Sequence, residues 1–165
     1  MSVYADYEPD QQRVLLRAIN AAAVLVSSAS PGPKADTVSE GFASAKYVLD
    51  SLEANIGNTL VSSVIMAIRD RLEAEQPFPD YTVVATAPDA ADQARAALVA
   101  VATLLDTRTP PEEAAGYKDW LVGVAQASAH GALEDKGFLG RGGVQVNDAE
   151  RAAIAEVTQL LGRGS

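Results

Sequence analysis

The chain has 165 residues, a length that fits one compact domain, and we expect a single domain over residues 1–165. It contains no cysteine and one histidine, His130, which excludes disulfides, zinc–thiolate centres, iron–sulfur clusters and any site that needs two imidazoles from one chain. Its formal net charge of −9 repels phosphate backbones and anionic lipid headgroups, so nucleic-acid binding is disfavoured.

The first residues lack the basic and then apolar layout of a signal peptide. No apolar run approaches the ~20 residues that a membrane-spanning helix needs. We therefore expect a cytoplasmic protein that does not bind membranes.

Apolar residues at three- and four-residue steps predict three helices in the first half of the chain. The first runs from Asp10 to Ser28, the second from Asp36 or Thr37 to Ile56, and the third from about Thr59 to the residues before Pro77. The predicted buried stripe of the second helix is Phe42, Ala45, Leu49, Leu52 and Ile56, and that of the third is Leu60, Val61, Val64, Ile65, Ile68 and Leu72.

The second half of the chain predicts one crossover segment and three more helices. Tyr81–Ala85 favours extended backbone but has no second strand to pair with, so we interpret it as a packed crossover. The fourth helix follows Pro88, with Ala94, Leu98, Val101 and Leu105 on its buried side. The fifth begins near Pro110 and ends near Asp135, and the last is opened by Asn147 and Glu150, which have capping-box spacing.

A glycine-rich run between the last two helices predicts a structured loop that folds back on the core. Its characteristic residues are Gly137, Phe138, Gly140, Gly142 and Gly143. Successive glycines could also form a phosphate-binding loop, but the G-x-x-x-x-G-K-[ST] pattern is missing and acidic residues open the next helix. The structural interpretation is favoured. Arg141, at the tip of this loop, could still be a contact residue.

The fifth helix carries one polar stripe of interest, which includes Asp119, His130 and Glu134. Since His130 and Glu134 are four residues apart, the carboxylate could raise the basicity of the imidazole or share a cation with it. The simpler interpretation, an exposed and solvated pair, is favoured because such pairs are common and contribute only a few tenths of a kcal/mol.

Tyr117 and Trp120 lie one turn apart on the other side of the same helix. They could stack against a ligand or form an interface with a partner. A place in the core is favoured, because Leu121 and Val124 continue the same stripe.

No pattern in the sequence points to a catalytic or metal site. The acidic clusters at Asp6, Glu8 and Asp10 and at Glu112 and Glu113 lack the alternating ligands of an EF-hand loop. There is no G-x-S-x-G elbow and no Ser-x-x-Lys pair. We therefore predict no catalytic residue, no metal site and no cofactor.

The stretch from Tyr117-Lys118-Asp119-Trp120-Leu121 through the glycine loop resembles a group of small bacterial all-helical proteins of unknown function. In that group an aromatic-containing helix leads to a G-F-x-G-x-G-G loop and a capped final helix. The specific matches are Gly137, Phe138, Gly140, Gly142, Gly143, Val146 and Glu150. The resemblance covers about the last third of the chain. It implies a helical bundle of bacterial cytoplasmic origin, and it does not point to any particular activity.

Together these observations predict an all-α fold, a single bundle of five to six helices with a structured glycine loop before the last helix. The favoured function is non-catalytic, through self-association or contact with a protein partner. The alternative is a small-molecule-binding or divalent-metal-binding protein, which could also be an enzyme. Its groove would lie near His130 and be formed with Asp119, Glu134 and Arg141.

Overall fold

A computed structural model describes residues 1–29, 43–76, 82–137 and 146–164, with residues 132–137 described by their backbone only. The described residues form six α-helices and two short 3-10 helices, and they contain no strand, which confirms the all-α prediction. The helices are α1 (Pro9–Ala29), α2 (described over 43–50), α3 (Thr59–Glu73), α4 (Ala90–Arg108), α5 (Pro111–Gly137) and α6 (Asp148–Leu160). The 3-10 helices are Tyr4–Asp6 and Glu53–Asn55.

Helix α1 is the central element of the fold, because it contacts α4, α5 and α6. The sequence predicted one apolar stripe on this helix, yet six consecutive residues, 21–26, are buried. Three of the six are alanines, which let neighbouring helices approach closely on several sides. A helical segment that is apolar all round, as residues 21–26 are, is one that its neighbours surround.

Helix α2 packs in a different register from the predicted one. Ala45 is exposed and Ile56 is 79 % exposed, so the predicted stripe is wrong at these positions, and Phe42 lies outside the described residues. The buried face is formed by Ser44, Val48 and Ser51. Apolar periodicity missed this face because two of its three residues are serines, and Ser51 is buried with hydrogen-bond partners.

Helices α3 and α4 match the predictions made from the sequence more closely than α2 does. Asn58 caps α3, since its side-chain oxygen accepts a hydrogen bond from the Val61 N–H at 3.0 Å. The first four residues of the predicted α3 stripe are buried, whereas Leu72 at its end is 50 % exposed, so its assignment to the core was wrong. The four residues predicted to face the core from α4 are all buried.

The segment before α4 confirms the crossover prediction over the residues described there, 82–89. It contains no strand, and Val83 is buried. The Val83 N–H donates a hydrogen bond to the side-chain oxygen of Asn20 on α1 at 2.6 Å. A polar side chain of the central helix thus fixes this segment on the core.

Helix α6 begins as the sequence predicted. Asn147 accepts from the Glu150 N–H at 2.8 Å, and the Glu150 carboxylate accepts from the Asn147 N–H at 3.0 Å, which completes the capping box. Gly137 is the last residue of α5. The other residues of the predicted glycine loop, Phe138, Gly140, Gly142 and Gly143, lie outside the described residues.

None of the described helices combines the length and the apolarity that crossing a membrane requires.

Candidate functional site

In the described part of the chain, the polar residues that the sequence singled out on α5 do not come together into one site. His130 is exposed, and its Nδ1 lies 2.7 Å from the Gln126 carbonyl oxygen, which can only accept, so this nitrogen donates. Asp119 lies about three helical turns, or about 16 Å, away along the same helix. The side chain of Glu134 and the whole of Arg141 lie outside the described residues.

The Asp119 carboxylate is engaged by the C-terminal segment. Arg163 Nε and Nη2 donate to its two oxygens at 2.6 and 2.7 Å, a bidentate pair that holds the end of the chain against α5. Among the described residues no three His, Asp or Glu side chains are grouped so that they could hold a metal ion.

Tyr117 and Trp120 lie in the core. Tyr117 is fully buried and Trp120 is 3 % exposed, and their rings meet edge to face with centroids 5.3 Å apart. The Tyr117 hydroxyl donates to the Leu15 carbonyl oxygen at 3.1 Å, and burial raises the pKa of this hydroxyl well above 10.0, so it stays protonated. Neither ring presents a surface that a partner could contact.

An open groove lies between α1, α2, α3 and the segment that precedes α4. Its volume is about 380 Å³, and we call it the apolar groove. Its main apolar walls are Leu16 and Ile19 of α1, Val48 and Leu49 of α2, and Ile68 and Leu72 of α3. The apolar stripe of α3 extends beyond the part that neighbouring helices cover. Its last residue, Leu72, is therefore half exposed and lies at the rim of the groove.

The polar content of the apolar groove is small and uncharged. Asn20, Ser27, Ser44 and Thr82 contribute to its lining, and the described lining residues include no Asp, Glu, Lys, Arg or His. Ser27 Oγ donates to the Ala23 carbonyl oxygen at 3.1 Å, so this hydroxyl proton is already used. Such a lining can hold an apolar group, but it offers no acid–base pair.

A second surface is the outward side of α4, which we call the α4 outer face and define as Ala96, Val99, Ala100, Thr103 and Thr107. All five residues are exposed and none is charged. The two threonine hydroxyls donate to carbonyl oxygens of their own helix, at 3.0 and 2.8 Å, and so present little polarity outward. Two exposed acidic residues, Asp92 and Asp106, lie on the same side at the two ends of this face, so it is an uncharged stretch between charged residues.

Sequence reasoning missed both surfaces, although each left a signal. The length of the α3 stripe and the run without charge from residue 96 to 105 are both visible in the sequence. Whether another helix covers such a face depends on the packing of the whole chain.

Comparisons of the chain with protein families, with curated proteins and with solved structures give no match. The resemblance of the C-terminal third to small bacterial helical proteins therefore stays a prediction.

Proposed function

We propose that this protein is a non-catalytic binding protein that holds a small apolar molecule in the apolar groove. The observation that carries the proposal is an open space of about 380 Å³ lined by aliphatic side chains of four helices, α1, α2, α3 and, through Val124, α5. Ligand pockets are commonly about 300–1,000 Å³ in volume, mainly apolar, with a few polar groups, and they occur between the helices of bundles. None of the described lining residues is charged, which supports the binding of an apolar molecule.

Leu72 gives this proposal a clean test. It lines the groove but is 50 % exposed, so its replacement by glutamate places a charge at the rim with little cost to the core. The probe is N-phenyl-1-naphthylamine, an uncharged fluorophore whose emission rises in apolar surroundings. We expect saturable binding to the wild type and about tenfold weaker binding to Leu72→Glu, since losing the burial of half a leucine and placing a carboxylate beside an apolar ligand together cost about 1.4 kcal/mol.

Val99→Glu is the matched control. Val99 is 49 % exposed, lies on α4 and is not part of the groove. This variant should bind the fluorophore as the wild type does. Absence of saturable binding to the wild type, or equal loss in both variants, would show that the groove is not the site.

Self-association is a second candidate, and the α4 outer face favours it. Two copies could pack these small, uncharged faces against each other, as short side chains allow close approach of helices. Light scattering should then give a mass above the 17.2 kDa of one chain. Val99→Glu should return the mass to one chain, and Leu72→Glu should leave the assembly intact.

Leu72→Glu and Val99→Glu thus have opposite roles in the tests of ligand binding and self-association. Each is the test of one surface and the control for the other. A wild type with the mass of one chain at all concentrations would remove the second candidate without affecting the first.

A further inference from the structure

The side-chain amide of Asn20 is the most specific polar feature of the apolar groove. Its Oδ1 lies 2.6 Å from the Val83 N–H. A backbone N–H can only donate, so the atom facing it must be the oxygen, and the orientation of the amide is fixed. The nitrogen Nδ2, with two N–H groups, therefore points away from Val83.

Nδ2 makes no hydrogen bond within the part of the chain that the structure describes. Asn20 contributes to the lining of the groove between apolar residues of α1, among them Leu16 and Ile19. A fixed, unused donor in a mainly apolar groove favours an occupant with an acceptor, because a ligand that covered this donor without accepting from it would leave a polar group buried and unpaired.

The charge balance limits the kind of acceptor. The described lining offers no cation to a carboxylate, and the net charge of −9 opposes an anionic ligand. Burying an unpaired carboxylate costs far more than burying a neutral carbonyl. The acceptor that suits the groove is therefore uncharged.

We infer that the apolar groove takes an aliphatic molecule bearing an uncharged carbonyl group, a ketone, ester or amide, whose oxygen accepts a hydrogen bond from Asn20 Nδ2. The inference rests on the proposed function. Asn20 acts as the residue that orients the ligand, and the aliphatic walls supply most of the affinity.

The test compares 2-octanone with 2-methyl-1-octene, in which a CH2 group replaces the carbonyl oxygen. Both displace N-phenyl-1-naphthylamine from the wild type and from Asn20→Asp, a variant that keeps an acceptor for the Val83 N–H and has no donor. The measured quantity is the ratio of the two dissociation constants. We expect this ratio to shift against the ketone by roughly threefold to tenfold in Asn20→Asp, the range for one hydrogen bond.

A second readout uses the wild type alone and does not depend on the folding of a variant. In a ¹H–¹⁵N spectrum, 2-octanone should shift the side-chain amide resonances of Asn20, and 2-methyl-1-octene should shift them much less. An unchanged ratio, unmoved Asn20 resonances on ketone binding, or tighter binding of octanoate than of 2-octanone would each overturn the inference. Failure of the fluorophore to bind at all would instead overturn the proposed function.

Discussion

Gly116 of α5 faces Asn58, the residue that caps the start of α3. A methyl group added there would run into the side-chain nitrogen of Asn58. Asn58 has two roles at this point, since its oxygen caps α3 and its nitrogen donates to the Glu113 carbonyl oxygen at 3.0 Å. The absence of a side chain at residue 116 thus allows one asparagine to join two helices.

Replacement of Gly116 by alanine should therefore destabilise the protein. The alanine displaces Asn58, which loses both its N-cap bond and its bond to Glu113, at about 1 kcal/mol each. The higher helix propensity of alanine offsets about 1 kcal/mol of this loss, so a net cost of about 1 kcal/mol is expected. Thermal unfolding followed by circular dichroism should show a clearly lower melting temperature. Gly57→Ala is the control, since an added methyl group there meets nothing within 4 Å. Equal melting temperatures for the two variants would show that Asn58 moves aside without loss.

At the scale of elements, α2 shows what local patterns can and cannot predict. The cap at Asn147 and the buried side of α4 were predictable because each depends on residues a few positions apart on one helix. The register of α2 was not predictable from the local pattern, because a contact with a residue far along the chain sets it. Trp120 of α5 donates from its indole nitrogen to Ser51 Oγ at 2.9 Å, which turns a serine toward the core.

The contact between Ser51 and Trp120 can be measured by a double-mutant cycle. Ser51→Ala leaves the indole N–H buried without its acceptor, which should lower the free energy of unfolding by about 1–3 kcal/mol. In the background of Trp120→Phe, which has no N–H, the same change should cost less. Urea unfolding followed by circular dichroism gives all four values. Identical costs in both backgrounds would mean that the hydrogen bond does not hold α2 in its register.

At the scale of the whole molecule, the central position of α1 decides what remains open. The sequence predicted a helical bundle, and the structure confirms it. It did not predict that α4, α5 and α6 gather around α1 while the end of the α3 stripe stays uncovered. The number of neighbours that a helix acquires is set by the packing of all the helices together. The apolar groove and the α4 outer face both follow from that packing.

Glu113 joins three distant parts of the chain and makes the stability of the whole fold sensitive to acid. Its two carboxylate oxygens accept from the Ser2 N–H at 2.8 Å and from the Thr59 hydroxyl at 2.6 Å. Burial acts to raise the pKa of this carboxyl, but the hydrogen bonds from Thr59 and Ser2 outweigh it and hold the pKa below its usual 4.5.

A pKa that is lower in the folded state than in the unfolded state stabilises the fold above the unfolded value, and this contribution is lost as the pH falls through the folded pKa. Glu113→Gln should therefore be less stable than the wild type at pH 7, and the difference should shrink as the pH falls below 4.5. Urea unfolding from pH 7 to about pH 3 measures it, a range over which carboxyl groups titrate. Glu112→Gln is the control, because Glu112 is exposed and makes no hydrogen bond to the described residues. A gap between wild type and Glu113→Gln that stays constant across this range would contradict the prediction, because the ionised carboxylate would then contribute nothing of its own to holding the three segments together.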